Sequence, residues 1–518
     1  MRKILAVLTA LMLLVMPAMG TALTMQEAAA GLWNAEGFTA DFFLEAGDLE
    51  GAVKSIMAEN QSDEQTQQMI ANYVPAIKEL IQALGLHVEA SMDLQKGNLA
   101  LTLNGGDALD AAWTLDDTQA AVQSSWLGEA PLAFGWDELR ELTQSGSGAN
   151  FDFGAYINGI KEYATDLINN ATSRGVNELN ILPKTAEYVN GILEKAEKAP
   201  AEPSDDCDPA VEAWTISLTR ADLQGVVDAF LSDVVELPFF APVLNAAGMD
   251  GATFIAKVDE SLQESLEKIV EPVVISMLVD AEGKAVRAGA AIVSTDEEDP
   301  ALVTFRMVRN TAEGDQKTYD IVVEAYESEE LQVQMNAQVT AAENHIQAEV
   351  TMKRAEDGQL NPALAMSYDY TATESEDAIA VRTVQEQKLW QPSTRSVTGD
   401  DGESKWEIYY PEEPNMVLRT EGSSVVQQTA DGFTVKSDSA FIVPTISENA
   451  LFTVHGIVKS APAPAAVNTE NAIHLLKMSQ EELDAFLQNL ATNAQTKLVT
   501  LMQQLPQSVL TLIMQTAQ

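Results

Sequence analysis

The stretch LQVQMNAQVT, residues 331–340, alternates apolar and polar side chains without interruption. A period of two places successive side chains on opposite faces of a β-strand, so this strand has one apolar face and one wet face. The stretches 303–308, 346–352 and 364–370 repeat the alternation. One wet face is typical of antiparallel sheets, so the pattern predicts a long antiparallel meander from 272 to about 390.

A strand and two helices are predicted just before this meander. Trp214, Ile216 and Leu218 alternate as a strand, and apolar residues at helical spacing follow them until the prolines at 238 and 242. Thr219, with Asp222 three residues later, resembles the capping box that begins a helix. Another helix is predicted over 253–270, and both helices are amphipathic enough to cover the sheet.

The sequence before residue 200 predicts an N-terminal portion that contains both helices and strands. A strand is expected over 38–44, helices over 48–84 and 136–198, and an antiparallel meander over 86–126. The segment 198–209 is rich in Ala, Pro and Asp, which is typical of a linker or an exposed loop.

The residues after 400 predict shorter strands and then helices. Shorter strands are expected from 406 to about 458, and APAPAAV at 461–467 is typical of a semi-rigid linker. A capping box of Ser479 and Glu482 begins a helical segment with an apolar stripe. This helix either docks on the sheet or binds a partner or a membrane surface. Because membrane-surface helices usually carry several cations and Lys497 is nearly alone, the membrane is the disfavoured alternative.

These elements predict an α+β fold. It consists of a long curved antiparallel β-meander covered by amphipathic helices, with an N-terminal α+β portion and a C-terminal helical segment. The expected divisions are a signal peptide at 1–22, the N-terminal portion at 23–200, the sheet with its covering helices at 210–460, and the C-terminal helices at 468–518.

The first 22 residues predict export. Arg2 and Lys3 precede a short apolar run, and small residues around Gly20 and Ala22 offer a cleavage site, which is the pattern of a secretory signal peptide. The run is shorter than the roughly 20 residues of a membrane-spanning helix, so a membrane anchor is the weaker interpretation. No transmembrane span is expected elsewhere in the chain, and the signal segment has no cysteine that could carry a lipid anchor. The predicted location is secreted or extracytoplasmic.

The charge balance narrows the choice of partners. The chain has 78 acidic and 30 basic side chains, a formal net charge of −48. Nucleic acid and anionic membrane surfaces would be repelled by this charge. Solubility is favoured, as are cationic partners or divalent ions. The simplest interpretation is a solvated acidic surface.

No motif for catalysis, cofactor binding or metal binding is recognisable. No two of the four histidines have ligand spacing, and no nucleophile elbow, phosphate-binding loop or dinucleotide-binding glycine cluster occurs. Cys207 is the only cysteine, so no intramolecular disulfide can form. The aspartates on both sides of it disfavour a reactive thiolate. We therefore expect no catalytic, cofactor-binding or metal-binding residue.

Three acidic clusters are candidates for calcium. They are Asp205, Asp206, Asp208 and Glu212; the run Asp296, Glu297, Glu298 and Asp299; and Asp400, Asp401 and Glu403. Calcium needs six to eight oxygen ligands from a loop that wraps the ion, and none of the clusters has the twelve-residue calcium-loop pattern. Charged turns that keep strand edges soluble are the favoured interpretation.

The unit WTISLT at 214–219, the helix after it and the following strands resemble the LolA and LppX-like half-barrel carriers of bacterial envelopes. The resemblance covers mainly 211–390 and is architectural. It implies a curved antiparallel sheet closed by helices around an apolar cavity for acyl chains. No functional residue is transferred from it.

Three hypotheses of function follow. The first is an exported, non-catalytic binding protein that holds an amphiphile or a partner in an apolar groove between sheet and helices. The second is a structural or interaction protein of the cell surface. The third is a secreted hydrolase whose motif is not recognisable from one sequence.

Overall fold

The structure is a computed structural model. It describes residues 35–59, 64–147, 151–174, 182–204, 206–294, 301–311, 316–342, 344–356, 359–375, 378–391, 393–398, 404–409, 411–429 and 432–516. Within these ranges the chain forms a 20-stranded sheet, a separate 2-stranded sheet and helices packed on the large sheet. The predicted α+β class is confirmed.

The strands before residue 295 are β1 (Gly37–Ala46), β2 (Leu84–Ser91), β3 (Lys96–Leu103), β4 (Gly106–Leu115), β5 (Gln119–Gln123), β6 (Leu132–Gly135), β7 (Glu197–Pro200), β8 (Glu212–Leu218), β9 (Val273–Val279) and β10 (Ala285–Ser294). The later strands are β11 (Ala301–Thr311), β12 (Lys317–Glu327), β13 (Glu330–Ala342), β14 (His345–Glu356), β15 (Gln359–Glu374), β16 (Ala378–Leu389), β17 (Ser393–Thr398), β18 (Ser404–Tyr409), β19 (Met416–Thr429), β20 (Gly432–Val443), β21 (Ser447–Ala461) and β22 (Ile473–His474).

The helices are α1 (Leu49–Glu59), α2 (Glu64–Ala83), α3 (Trp136–Ser147), α4 (Phe153–Arg174), α5 (Pro183–Glu194), α6 (Arg220–Val235), α7 (Phe240–Ala246), α8 (Gly251–Glu267), α9 (Gln480–Gln504) and α10 (Gln507–Thr516). Among the described residues, no helix has the length and apolar content needed to cross a membrane.

The large sheet consists of two runs of strands in chain order that meet at β1, and we call this junction the seam. Strands β7 to β16 and then β19 to β21 pair in chain order and antiparallel. Strand β1 lies between β21 and β2, and β2 to β6 continue the sheet. The N-terminal portion and the central meander therefore share one sheet, because their strands hydrogen-bond along β1.

The alternation in sequence explains the two faces of the sheet. We call the inner face the one that carries Ile216, Ile275 and Phe305, and the outer face the opposite one. Cross-strand pairing continues the inner face from strand to strand. It places Met277, Ala337, Val350 and Met366 in one row on this face. The predicted meander over 272–390 is confirmed, since each apolar set lies on this one face.

Two helical layers lie on the inner face. Helices α5, α6 and α8 bury their apolar sides against β8 to β12 in one hydrophobic core. Helices α1 and α2 lie against β21, β1 and β2 near the other end, where Ala40, Ala46 and Ala90 are buried. Between the layers the inner face is partly open, and Tyr368, Leu418 and Phe441 each stay more than a third exposed.

The predicted helix starts are present. The Thr219 hydroxyl accepts a hydrogen bond from the Asp222 amide, and the Asp222 carboxylate accepts one from the Thr219 amide. Ser479 and Glu482 form the same reciprocal cap at the start of α9. These pairs satisfy amide groups that have no partner within the helix.

Two local expectations need correction. Part of the expected linker at 198–209 is the edge strand β7, which pairs with β8, and Asp208 at its end is buried. The strands expected to be short after 406 include β19, β20 and β21, which are 14, 12 and 15 residues long. Their polar residues weaken the alternation, but pairing on both sides extends them.

Candidate functional site

An open cavity of about 580 Å³ lies on strands β8 to β11. Met277, Ala288 and Phe305 contribute to its lining, yet their side chains are buried in the core on the inner face. Thr215, Ser276 and Ala291 also line it, and these residues are exposed to solvent. The cavity therefore lies on the outer face, against the sheet backbone.

Small side chains form the floor of this cavity. Thr215, Ser276 and Gly289 are cross-strand partners in one row, which continues to Arg306 on β11. A Cβ placed on Gly289 would meet only the Phe305 carbonyl oxygen, at 3.6 Å, so the space above Gly289 is open. The absence of bulk along this row makes a depression where a flat strand surface would otherwise be.

Larger side chains border the floor. Leu278 and Arg287 form the neighbouring cross-strand row with Ala213, and Val274 lies on the other side of Ser276. Val274, near the start of β9, is 40% exposed. The lining is mostly apolar, with two guanidinium groups at one side.

The two arginines come from adjacent strands. Gly289 pairs with Arg306, and Arg287 lies two residues before Gly289, so the arginines are diagonal neighbours on the outer face. Diagonal partners in antiparallel sheets are about 7–8 Å apart, which long side chains can bridge. The cavity thus has a positive edge in a strongly acidic chain.

A loop before β8 carries an acidic residue to that edge. Arg287 Nη1 lies 3.1 Å from Asp206 Oδ2 and 3.4 Å from Oδ1. Both side chains are substantially exposed. Hydrogen bonding by Ser204, and then the charges of Arg287 and Arg306, hold the pKa of Asp206 below its ordinary value.

Asp208 anchors this loop to the sheet. The Thr311 amide and hydroxyl donate to its carboxylate at 2.5 and 2.6 Å, and Arg309 Nε donates at 2.8 Å. Arg309 also donates to Asp280 at 2.6 Å. Burial alone would raise the pKa of Asp208, but the hydrogen bonds from Thr311 and Arg309 lower it.

The first acidic cluster is therefore paired with protein groups. Asp206 and Asp208 have arginine partners, and Glu212 accepts a hydrogen bond from Trp214 Nε1 at 2.7 Å. Asp205 and the other two clusters, Asp296–Asp299 and Asp400, Asp401 and Glu403, lie outside the described residues. In the part of the chain that the structure describes, no group of three or more acidic, His or Cys side chains has the geometry to hold a metal ion.

The histidines lie apart and pair with carboxylates. His87 contacts Asp41 and Glu89, and His455 contacts Asp438 and Glu45. His345 pairs with Asp369 and His474 with Glu138. The single cysteine, Cys207, is a partly exposed free thiol between Asp206 and Asp208.

Two carboxylates meet in a second, smaller groove between α6 and α8. Gln224 Nε2 donates to Asp228 at 2.8 Å and to Asp259 at 2.6 Å, in a groove of about 360 Å³. Burial and then the neighbouring Asp228 raise the pKa of Asp259. A raised pKa means that Asp259 keeps its proton to a higher pH than an ordinary aspartate does.

The sequence did not indicate that the residues of the outer-face cavity form a site. Arg287, Arg306 and Gly289 have no motif, because strand pairing alone brings them together. The one available signal is the pair of cations in neighbouring strands of a chain with few cations. A groove was expected between sheet and helices, but around β8 to β12 the described side chains fill that interface as a core, and the cavity lies on the opposite face.

Comparisons with protein-family models, with curated proteins and with solved structures found no match for this chain. The candidate site therefore follows from the geometry of its own residues.

Proposed function

We propose that the protein is an exported, non-catalytic binding protein that holds an amphiphile in the outer-face cavity. The observation that carries this proposal is the cavity of about 580 Å³, with its mostly apolar lining and its positively charged edge. Small-molecule sites are typically concave, mostly apolar and about 300–1,000 Å³ in volume, with a few polar groups that orient the ligand. The cavity has each of these properties.

The chemistry of the lining supports binding over catalysis. Thr215 and Ser276 supply hydroxyl groups, but the residues that line this cavity include neither a histidine nor a carboxylate that would act as a base. A hydroxyl nucleophile needs such a base within hydrogen-bond reach. The described lining is therefore suited to holding a ligand.

Filling the cavity tests the proposal. Gly289→Leu places a side chain over the floor, where its Cβ makes only an ordinary contact with the Phe305 carbonyl oxygen. We expect the variant to fold and to lose decanol binding measured by isothermal titration calorimetry. It should also lose any amphiphile that native mass spectrometry finds in the gently purified wild-type protein.

Asn336→Leu is the matched control. Asn336 continues the same cross-strand row through Val322, two strands beyond Arg306 and outside the cavity. It places the same side chain, a leucine, on the outer face without filling the depression. If both variants retain the decanol binding of the wild type, or if the wild type binds neither decanol nor any amphiphile in native mass spectrometry, the proposal is wrong.

A second candidate function is assembly through the C-terminal helix. Within α9, Leu487, Leu498, Val499 and Met502 are each about half exposed, and no residue of α9 is buried. Exposed apolar side chains along one helix are typical of a surface for a partner. Light scattering of the wild type and of a Leu498→Gln, Met502→Gln variant tests it. A monomeric wild type that binds no cell surface would exclude it.

A further inference from the structure

The arginine pair at the cavity edge indicates the chemistry of the ligand's polar end. Arg287 and Arg306 belong to a chain with 30 basic and 78 acidic side chains, so two adjacent cations on an otherwise acidic molecule are informative. They border a floor of small side chains, formed by Thr215, Ser276 and Gly289, within a lining that is mostly apolar. Guanidinium groups bind carboxylates and phosphates with two parallel hydrogen bonds.

One of these two arginines already contacts a carboxylate of the protein. Asp206 accepts from Arg287, and its loop is held by the buried Asp208 two residues later. Asp206 and Arg287 are themselves well exposed, and exposed ion pairs contribute little to stability. The anchored loop thus keeps a weakly held carboxylate beside Arg287.

Resting on the proposed function, we propose that the cavity binds a single-chain amphiphile with an anionic head group, a carboxylate or a phosphate monoester. Its head group binds Arg287 and Arg306 and takes the place of Asp206 on Arg287. Asp206 is then a competitor built into the chain. Its loop stays fixed at Asp208 while its side chain turns away.

Three ten-carbon probes test the head group: decanoate, decyl phosphate and decanol. Calorimetry should show that the wild type binds at least one anionic probe at least about fivefold more tightly than decanol. Arg287→Gln and Arg306→Gln should each remove most of this preference, because each lowers affinity for the anionic probe by a larger factor than affinity for decanol. The two anions distinguish a carboxylate site from a phosphate site.

The role of Asp206 has its own variant and its own readout. Asp206→Asn removes the competing charge and should raise affinity for the anionic probe about two- to fivefold, with decanol unaffected. Cys207, the only cysteine, allows a trifluoroethyl label next to Asp206 for fluorine NMR. The label's resonance should shift with the anionic probe and stay in place with decanol.

The outcomes separate this inference from the proposed function. Equal affinity for decanol and both anions, or a preference that survives both arginine variants, overturns the anionic head group. An Asp206→Asn variant with wild-type anion affinity overturns the competition. If no probe binds at all, the proposed function itself fails. Circular dichroism of every variant establishes that each retains the fold, as expected for exposed positions.

Discussion

Asp208 and Arg309 lie 101 positions apart in the chain and form a buried ion pair, with Arg309 Nε 2.8 Å from Asp208 Oδ2. The same guanidinium reaches Asp280 on the turn after β9. One cation therefore ties the loop before β8, the turn after β9 and strand β11 together. Burial alone would lower the pKa of Arg309, but its hydrogen bonds to Asp280 and Asp208 raise it.

Removing this cation should destabilise the protein strongly. Arg309→Met leaves two buried carboxylates without a cation, and breaking a buried pair in this way costs about 3–5 kcal/mol. Urea unfolding measures the change. Arg287→Met, which breaks the exposed pair with Asp206, should cost no more than about 1 kcal/mol. Similar costs for the two variants would contradict this account.

A carboxylate of α6 holds the start of α5. Asp233 is buried and accepts hydrogen bonds from the Lys184 amide at 3.0 Å, the Thr185 amide at 2.8 Å and the Thr185 hydroxyl at 2.7 Å. Leu182, at the N-cap, has no side-chain cap of its own. Asp233→Ala leaves these donors unsatisfied and should cost about 1–3 kcal/mol in thermal unfolding. Asp233→Asn, which keeps one oxygen, should cost less.

The carboxylate pair between α6 and α8 should make stability depend on pH. Asp259 has a pKa raised above its usual 3.8 by burial and by Asp228, so the folded state holds a proton that the unfolded chain releases. Stability from this group is lost as pH rises through the raised pKa. Asp259→Asn should therefore be more stable than the wild type at neutral pH, by at most about 1 kcal/mol, the scale of partly exposed charges.

The control variant for Asp259→Asn is Glu260→Gln, because Glu260 is an exposed neighbour of Asp259. Glu260→Gln should follow the wild-type dependence of unfolding free energy on pH from 3 to 8, whereas the Asp259→Asn curve should converge with the wild type only near the acidic end. An Asp259→Asn variant that is less stable than the wild type at neutral pH would show that the ionised Asp259 carboxylate does not oppose folding there.

His455 should stabilise the seam of the sheet in acid. Its ring contacts Asp438 on β20 at 2.6 Å and Glu45 on β1 at 3.1 Å, and it stacks on Phe43. The hydrogen bond to Asp438, and then the one to Glu45, raise its pKa above the usual 6.5 against the effect of burial. A raised histidine pKa gives stability that is complete below pH about 6.5 and lost as pH rises through the folded value.

The experiment compares His455→Gln with the wild type by urea unfolding between pH 5 and 9. The wild type should be the more stable at pH 5, and the difference should shrink towards pH 9. His345→Gln removes a single contact of 3.3 Å with Asp369 and should have the smaller effect. A His455→Gln difference that is constant over this range would contradict the prediction.

Local sequence patterns were enough to predict the main helices and strands and the class of the fold. The alternation at 331–340 predicted β13, and the capping boxes at Thr219 and Ser479 predicted where α6 and α9 begin. These features depend on residues within a few positions of one another, so the sequence contains them directly. The inner and outer faces of the meander follow from the same alternation.

Long-range pairing produced everything else. Strand β1 pairs with β21, more than 400 positions later in the chain. Arg309 pairs with Asp208, one of 78 acidic residues. The cavity forms because Thr215, Ser276 and Gly289 lie side by side on neighbouring strands. No local period specifies which strand lies beside which, since many alternating strands can pair with one another equally well in local terms. The choice comes from burying the two ends of one apolar inner face under two helical layers, which depends on the folded chain as a whole.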